Sequence, residues 1–144
     1  MIDRALVSKK YPPFSVFVSE GFRRELRDLF RSASPTQVST GSALSNWPAI
    51  LTLHGTACLM TVWEDMGVDP LAARLIAEKF AHFRDPSADE QLTGQVQVED
   101  ISETVESNTG IEEQVDLLVD FRDSSKRLIA TYQSSYRIPL ATSC

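Results

Sequence analysis

The sequence contains no run of about 18 apolar residues, the length that a helix needs to cross a membrane. Its first residues also lack the apolar core of a secretory signal peptide. Cysteine is scarce, because the chain has only Cys58 and Cys144, and neither stands in a spacing typical of metal ligands. We therefore expect a cytoplasmic protein in a reducing compartment, with neither a metal nor another cofactor.

Basic residues are also fewer than acidic ones. The chain has 14 lysines and arginines against 20 acidic residues, which gives a net charge of −6. No block of basic residues stands out, and this argues against nucleic-acid binding. The densest group of arginines is interleaved with Glu20, Glu25 and Asp28: Arg23, Arg24, Arg27 and Arg31. We interpret this group as a solvent-exposed helix face, with an anion site as the alternative.

What the sequence does contain is a long apolar stretch near its middle, from Trp47 to Gly67. After His54 and Gly55 come enough apolar residues for a helix of about three turns. They occur on nearly every side of that helix, which predicts burial all round. The glycine at position 67, just past the last apolar residue, is typical of a helix end.

The residues before this stretch predict an edge strand at 14–18 and then an amphipathic helix from about Glu20 to Arg31, with Ser19 as N-cap. From Ser32 to Asn46 the composition shifts to serine, threonine, glycine and proline. Fifteen residues without periodicity are unusual inside a compact domain. This segment is either a flexible connector or a lip over a binding site.

Downstream of Ala72 the pattern is that of β-strands. The clearest case is 111–122, where apolar residues alternate with polar ones: Val115, Leu117, Val119 and Phe121. Together with strands at about 92–103 and 128–138, it predicts an antiparallel meander with one buried face and one solvent-exposed face. With 144 residues and 42% apolar composition, residues 1–144 form one α+β domain whose sheet wraps around the central helix.

This order of elements resembles the hot-dog fold, and three short motifs resemble the MaoC-like hydratases and dehydratases of acyl thioesters. Residues 11–16, Tyr-Pro-Pro-Phe-Ser-Val, are similar to the opening of their N-terminal dehydratase-type module. Residues 48–55 resemble the Pro-x-x-His-Gly lead into the central helix of that family. Phe80, Pro86 and Ala88-Asp89 resemble the Phe…Pro…Gly-Asp segment that precedes a long strand in members of that family. The resemblance implies a ligand that is an acyl thioester of coenzyme A or of acyl-carrier protein.

The sequence departs from the family at the catalytic loop. Members of the family carry Asp-x-Asn-Pro-x-His, and the aspartate and histidine act there as base and acid. In the best placement Ser32 replaces the aspartate and Gln37 replaces the histidine. Neither side chain can exchange a proton near neutral pH as that pair must. The chain is therefore expected to lack hydratase activity when it is alone.

The remaining catalytic candidates lie at the start of the central helix. The N–H of Gly55, aided by the positive end of the helix dipole, can polarise a thioester carbonyl. Alternatively, Gly55 serves only tight packing or a positive φ angle. His54 is either a structural residue or an acid–base group, and His82 is expected to be a strand residue. The expected substrate contacts are Trp47, Thr56 and Trp63.

Three functions remain open. In the first, the chain is a MaoC-like subunit acting on 3-hydroxyacyl or 2-enoyl thioesters, as a homodimer or beside a second MaoC-like subunit that carries the catalytic pair. In the second, it is a hot-dog enzyme of altered chemistry, such as a thioesterase or a secondary-metabolism tailoring enzyme. That enzyme would use Gly55 with His54, Glu64 or Asp65. In the third, it is a non-catalytic module that binds a hydrophobic ligand.

Overall fold

The computed structural model describes residues 2–25, 47–52, 55–106 and 110–139 of the chain. The first half consists of short elements. A 3-10 turn at Arg4–Leu6 is followed by strand β1 (Phe14–Val18). Helix α1 begins at residue 20 and is described as far as residue 25. Helix α2 (Trp47–Thr52) and helix α3 (Thr56–Met66) follow.

The start of α1 is capped as the sequence predicts, since the Ser19 hydroxyl accepts a hydrogen bond from the Phe22 N–H at 3.0 Å. The Glu20 carboxylate lies 3.3 Å from the Arg23 guanidinium and 3.8 Å from that of Arg24. The Arg24 side chain is solvent-exposed as expected, whereas that of Arg23 is largely buried. The predicted end of this helix and the segment from Ser32 to Asn46 lie outside the described residues.

The second half forms four long strands. After a 3-10 turn at Pro70–Ala72, these are β2 (Arg74–His82), β3 (Glu90–Glu106), β4 (Gly110–Arg122) and β5 (Leu128–Pro139). They join β1 in one sheet with the order β1-β3-β4-β5-β2. Every neighbouring pair is antiparallel. The predicted meander is therefore confirmed as β3, β4 and β5, and β1 is confirmed as an edge strand.

One face of the sheet carries the core. The side chains of Val115, Leu117, Val119 and Phe121 are all buried, as their alternation predicts. On the same face a row of five residues crosses the whole sheet in register: Phe14, Gly94, Phe121, Ala130 and His82. Large and small residues alternate along this row, and the small ones leave space for groups that pack onto the sheet.

Helix α3 packs on this face with one side. Its end is the predicted one, because Gly67 has a φ of 68° and its N–H donates to the Glu64 carbonyl at 3.0 Å. The expectation of burial all round is wrong for the single chain. Val62, Trp63 and Met66 are buried, whereas Met60 is 41% exposed. The reason is geometric, since one sheet covers one side of a helix. None of the described helices is both long enough and apolar enough to span a bilayer.

Candidate functional site

The candidate site lies where α3 begins. Gly55 is the N-cap of this helix and is buried, with φ −98° and ψ 23°. A negative φ is accessible to any residue, so backbone conformation does not require glycine here. The helix that follows has 11 residues, and its dipole places partial positive charge at the Gly55 end. A carbonyl oxygen or another electron-rich group is favoured at that end.

The need for glycine comes instead from Phe14. A Cβ at Gly55 would stand 2.6 Å from Cε1 of the Phe14 ring, and a Cβ at Gly94 would stand 2.3 Å from its Cζ. The half-buried ring is thus held between the start of α3 and strand β3. Sequence reasoning did not single out Phe14, because its partners come from register and from helix placement rather than from local pattern.

The two tryptophans predicted to contact substrate lie in the core. Trp47 is fully buried, with its ring centroid 5.3 Å from that of Phe121 and 6.2 Å from that of His82. Trp63 is 6% exposed and meets Tyr136 edge to face at 5.0 Å. Burying rings of this size contributes strongly to stability. Both therefore have a packing role, and their contact with substrate stays a prediction.

The other predicted site residues divide into two groups. Thr56, the first residue of α3, is exposed beside Gly55. His54, Ser32 and Gln37 lie outside the described residues, so their roles also stay predictions.

A small pocket opens one turn further along α3. It has a volume of about 180 Å³ and is lined by Tyr11, Pro12, Ala57, Cys58 and Thr61. The Cys58 thiol is half-buried, and it donates to the Pro12 carbonyl at 3.5 Å. Pockets for drug-sized ligands measure roughly 300–1,000 Å³. This one is suited to a short apolar group of a few carbon atoms.

Asp65, one of the acids considered for altered chemistry, is engaged in the structure. The Lys9 ammonium donates to its carboxylate at 2.5 Å and lies 4.9 Å from the centre of the Tyr11 ring. Lys9 first, and the nearby Tyr11 hydroxyl second, lower the pKa of Asp65. Burial, with a contribution from Asp65, raises the pKa of Tyr11 to about 12. This group ties the N-terminal segment to α3 and keeps Asp65 ionised.

His82 lies in a strand as expected, and its surroundings are more specific than the sequence indicated. It is the last residue of β2, is exposed, and stacks on Phe80 at 6.2 Å between ring centroids. Phe80 in turn stacks on Tyr132 at 5.2 Å, and the Tyr132 hydroxyl donates to Glu78 at 2.6 Å. Burial and the Glu78 carboxylate raise the pKa of Tyr132. Glu78, Phe80 and His82 thus share the helix-bearing face of the sheet at its open edge.

Comparison with solved structures identifies the fold. A MaoC-like dehydratase matches over 96% of this chain with a TM-score of 0.66 and 17% identity. The match covers 43% of that protein, so this chain spans less than half of its length. A scan against models of protein families finds no match. A search of curated proteins finds no significant relative.

Two further matches are complexes from Mycobacterium tuberculosis. The HadBC (3R-hydroxyacyl-ACP dehydratase) complex matches with a TM-score of 0.62 and 10% identity, over 92% of this chain and 96% of that chain. The ChsH1-ChsH2 complex matches with a TM-score of 0.59 and 10% identity, over 97% of this chain and 89% of that chain. The expected fold is thereby confirmed: the chain is a single-sheet hot-dog protein whose structural neighbours include MaoC-like dehydratases.

Proposed function

We propose that this chain handles acyl thioesters as a MaoC-like protein of the hydratase/dehydratase type, with 3-hydroxyacyl or 2-enoyl thioesters as ligands. The observation that carries the proposal is the start of α3 at Gly55, placed over the sheet in a fold shared with MaoC-like and hydroxyacyl dehydratases. The dipole of α3 favours a thioester carbonyl at this point.

Two features of the surroundings support a thioester as the ligand. The pocket beside Cys58 has space for a short acyl group within one turn of Gly55. The half-buried Phe14 ring lies against Gly55 and supplies apolar surface there. A thioester carbonyl at Gly55 would then have apolar surface on both sides.

The loop that carries the acid–base pair in the family has Ser32 and Gln37 in this chain. We therefore propose ligand binding without hydration by this chain alone. A second MaoC-like subunit would supply the aspartate and histidine. Two of the structural neighbours, HadBC and ChsH1-ChsH2, are complexes of two differently named proteins, and this favours the two-subunit arrangement.

Titration calorimetry with a 2-enoyl-coenzyme A tests the proposal, with free coenzyme A as the control ligand. We expect saturable binding of the thioester and at least tenfold weaker binding of free coenzyme A, because the acyl and carbonyl groups are the parts recognised. The same titration with an acyl-carrier-protein thioester identifies the carrier. Absence of binding to both thioesters would contradict the proposal.

A further inference from the structure

The chain from Lys9 to Phe14 runs alongside helix α3 in the opposite direction. Three contacts join the two: the Phe14 ring lies against Gly55, the Pro12 carbonyl accepts a hydrogen bond from the Cys58 thiol, and the Lys9 ammonium binds Asp65. From Gly55 to Asp65 the helix rises about 15 Å. Between these contacts the two segments enclose a groove, here called the α3 groove, which begins at the candidate site.

The pocket beside Cys58 is the central part of the α3 groove. Its floor is the hydrogen bond between Cys58 and Pro12, at 3.5 Å. The Tyr11 side chain, only 2% exposed, forms a wall that other side chains hold in place. Ala57 and Thr61 line the helix side of the pocket and are exposed to solvent. The groove is therefore open along its length but has a firm floor and one firm wall.

The polar groups of this lining are already engaged with the protein. The Thr61 hydroxyl donates to the Ala57 carbonyl at 3.0 Å, and the Cys58 thiol donates to the Pro12 carbonyl. An ordered water molecule needs two to four polar partners. With these donors in use, the lining suits an apolar occupant better than a chain of ordered water molecules.

The far end of the groove is charged. Asp65 lies one turn beyond Thr61 on the same side of α3. Lys9 binds Asp65 and also lies 4.9 Å from the centre of the Tyr11 ring. The side chains of Lys9 and Asp65 are 46% and 31% exposed, so water still solvates the pair. An apolar chain that reached this point would remove that water, which is unfavourable.

The size of the groove limits the occupant. The pocket volume is about 180 Å³, and a group of the size of a water molecule takes about 30 Å³. The pocket thus has space for about six groups of that size. The helix rises about 9 Å from Gly55 to Thr61, a length that a chain of this size covers.

We propose that the α3 groove holds the acyl chain of the thioester and limits it to about four to eight carbon atoms. The carbonyl lies at Gly55, the chain runs along Ala57 and Thr61, and its end stops before the ion pair of Lys9 and Asp65. Thr61 is then a specificity-determining residue. This assignment rests on the proposed function, because the carbonyl at Gly55 is its starting point, and it adds the class of acyl group: short to medium and apolar.

A series of 2-enoyl-coenzyme A ligands with four, six, eight and ten carbon atoms tests the length limit by titration calorimetry. Each added carbon atom that the groove covers should lower the dissociation constant about twofold to fourfold. We expect this gain up to about eight carbon atoms and no further gain at ten. The chain-length profile should therefore level off at the length that the groove accommodates.

Thr61→Phe fills the groove from its exposed side. We expect the dissociation constant for the eight-carbon ligand, relative to that for the four-carbon ligand, to rise at least tenfold. Met60→Phe is the matched control, because Met60 is 41% exposed in the same turn of α3 but does not line the pocket. This variant should keep the wild-type ratio. Thermal melts of both variants establish that each is folded.

The double variant Lys9→Met/Asp65→Leu replaces the charged end of the groove with apolar side chains. We expect the profile to extend, so that the ten-carbon ligand binds several-fold more tightly than the eight-carbon ligand. Lys9→Met alone is the second variant if the double variant does not fold, and it should extend the profile in the same direction.

Alkylation of Cys58 reports on occupancy of the groove without depending on affinities. In a Cys144→Ser background, a saturating six-carbon 2-enoyl-coenzyme A should slow the reaction of Cys58 with iodoacetamide at least tenfold, because the chain covers the groove floor. Free coenzyme A at the same concentration should give little protection.

The groove assignment and the proposed function fail in different ways. Thioesters that bind with the same dissociation constant at every chain length would overturn the groove and leave the proposed function standing. Equal ratios for Thr61→Phe and Met60→Phe, or a Cys58 that saturating ligand leaves unprotected, would also overturn the groove. A chain that binds no thioester would contradict both.

Discussion

The ring of Phe14 takes the space that a side chain at Gly55 would need, with Cε1 of the ring 2.6 Å from the place of a Cβ. Because contacts under about 3 Å require something to move, Gly55→Ala forces the ring or the helix start to shift. Overpacking of this kind costs about 1–3 kcal/mol. The free energy of unfolding of Gly55→Ala should fall by that amount, as measured by urea denaturation.

The contact between Phe14 and Gly55 predicts a specific energetic coupling between the two positions. In a Phe14→Ala background the space is empty, so adding Gly55→Ala should cost much less than it does in the wild type. The coupling energy from the double-mutant cycle should be on the order of 1 kcal/mol or more. Gly94→Ala is a second test of the ring position and should show coupling of the same sign. Gly67→Ala has no such neighbour, because nothing lies within 4 Å of a Cβ there, and its cost should not depend on Phe14. Additive free energies at Gly55 would contradict the packing role.

The ion-paired carboxylate of Glu90 predicts how stability responds to acid. The Arg84 guanidinium donates a hydrogen bond to Glu90 at 2.8 Å, and this bond is the main cause that lowers the pKa of Glu90 from 4.5. A carboxylate with a lowered folded-state pKa adds stability above its unfolded pKa, and that stability is lost as the pH falls through the folded value. The melting temperature of the wild type should therefore drop below about pH 4.5.

Glu90→Gln removes this titration. Its melting temperature should lie below that of the wild type at pH 7, and the difference should shrink toward pH 3. Glu64→Gln, at an exposed carboxylate of α3, is the matched control and should leave the wild-type profile nearly unchanged. If the melting temperatures of Glu90→Gln and the wild type differ by a constant amount from pH 7 to pH 3, the Arg84–Glu90 ion pair does not add pH-dependent stability.

Hydration of a 2-enoyl-coenzyme A should be absent or very slow with the purified chain. Ser32 and Gln37 replace an acid–base pair, and positioned proton transfer is worth about 10²–10⁴-fold in rate. The measurement is the loss of enoyl-thioester absorbance, with a MaoC-like enzyme that carries the intact loop as the positive control. Robust turnover that survives Ser32→Ala and Gln37→Ala would place the active site elsewhere. Turnover abolished by those changes would give the hydroxyl and the amide a direct role.

The parts of the fold that follow local rules could be predicted from the sequence. Alternation fixed the buried face of β4 through Val115 and Phe121, because side chains of a strand point to opposite faces in turn. Gly67 marked the end of α3, because glycine readily adopts the left-handed backbone conformation found at many helix ends. Ser19 marked the start of α1, because its hydroxyl satisfies an amide that the helix leaves unpaired.

The parts that depend on distant partners could not be predicted. Phe14 meets Gly55 and Gly94 through strand register and helix placement, and no local spacing encodes either. The apolar residues of α3 indicated burial on every side, but a single sheet covers one side, and Met60 remains exposed. Trp47 looked like a binding residue beside the site, and its position against Phe121 makes it part of the core.

Thioester binding at the start of α3 is tested most directly by Gly55→Val in the Phe14→Ala background. Without the Phe14 ring the new side chain has space, so the variant should melt close to the Phe14→Ala parent. If the Gly55 N–H receives the thioester carbonyl, the valine blocks its approach, so the hydrogen bond, worth about 0.5–1.5 kcal/mol, is lost together with the fit of the carbonyl. Titration calorimetry should then give a dissociation constant for a 2-enoyl-coenzyme A at least tenfold above that of Phe14→Ala. An unchanged dissociation constant in a folded double variant would remove Gly55 from the site and contradict the account.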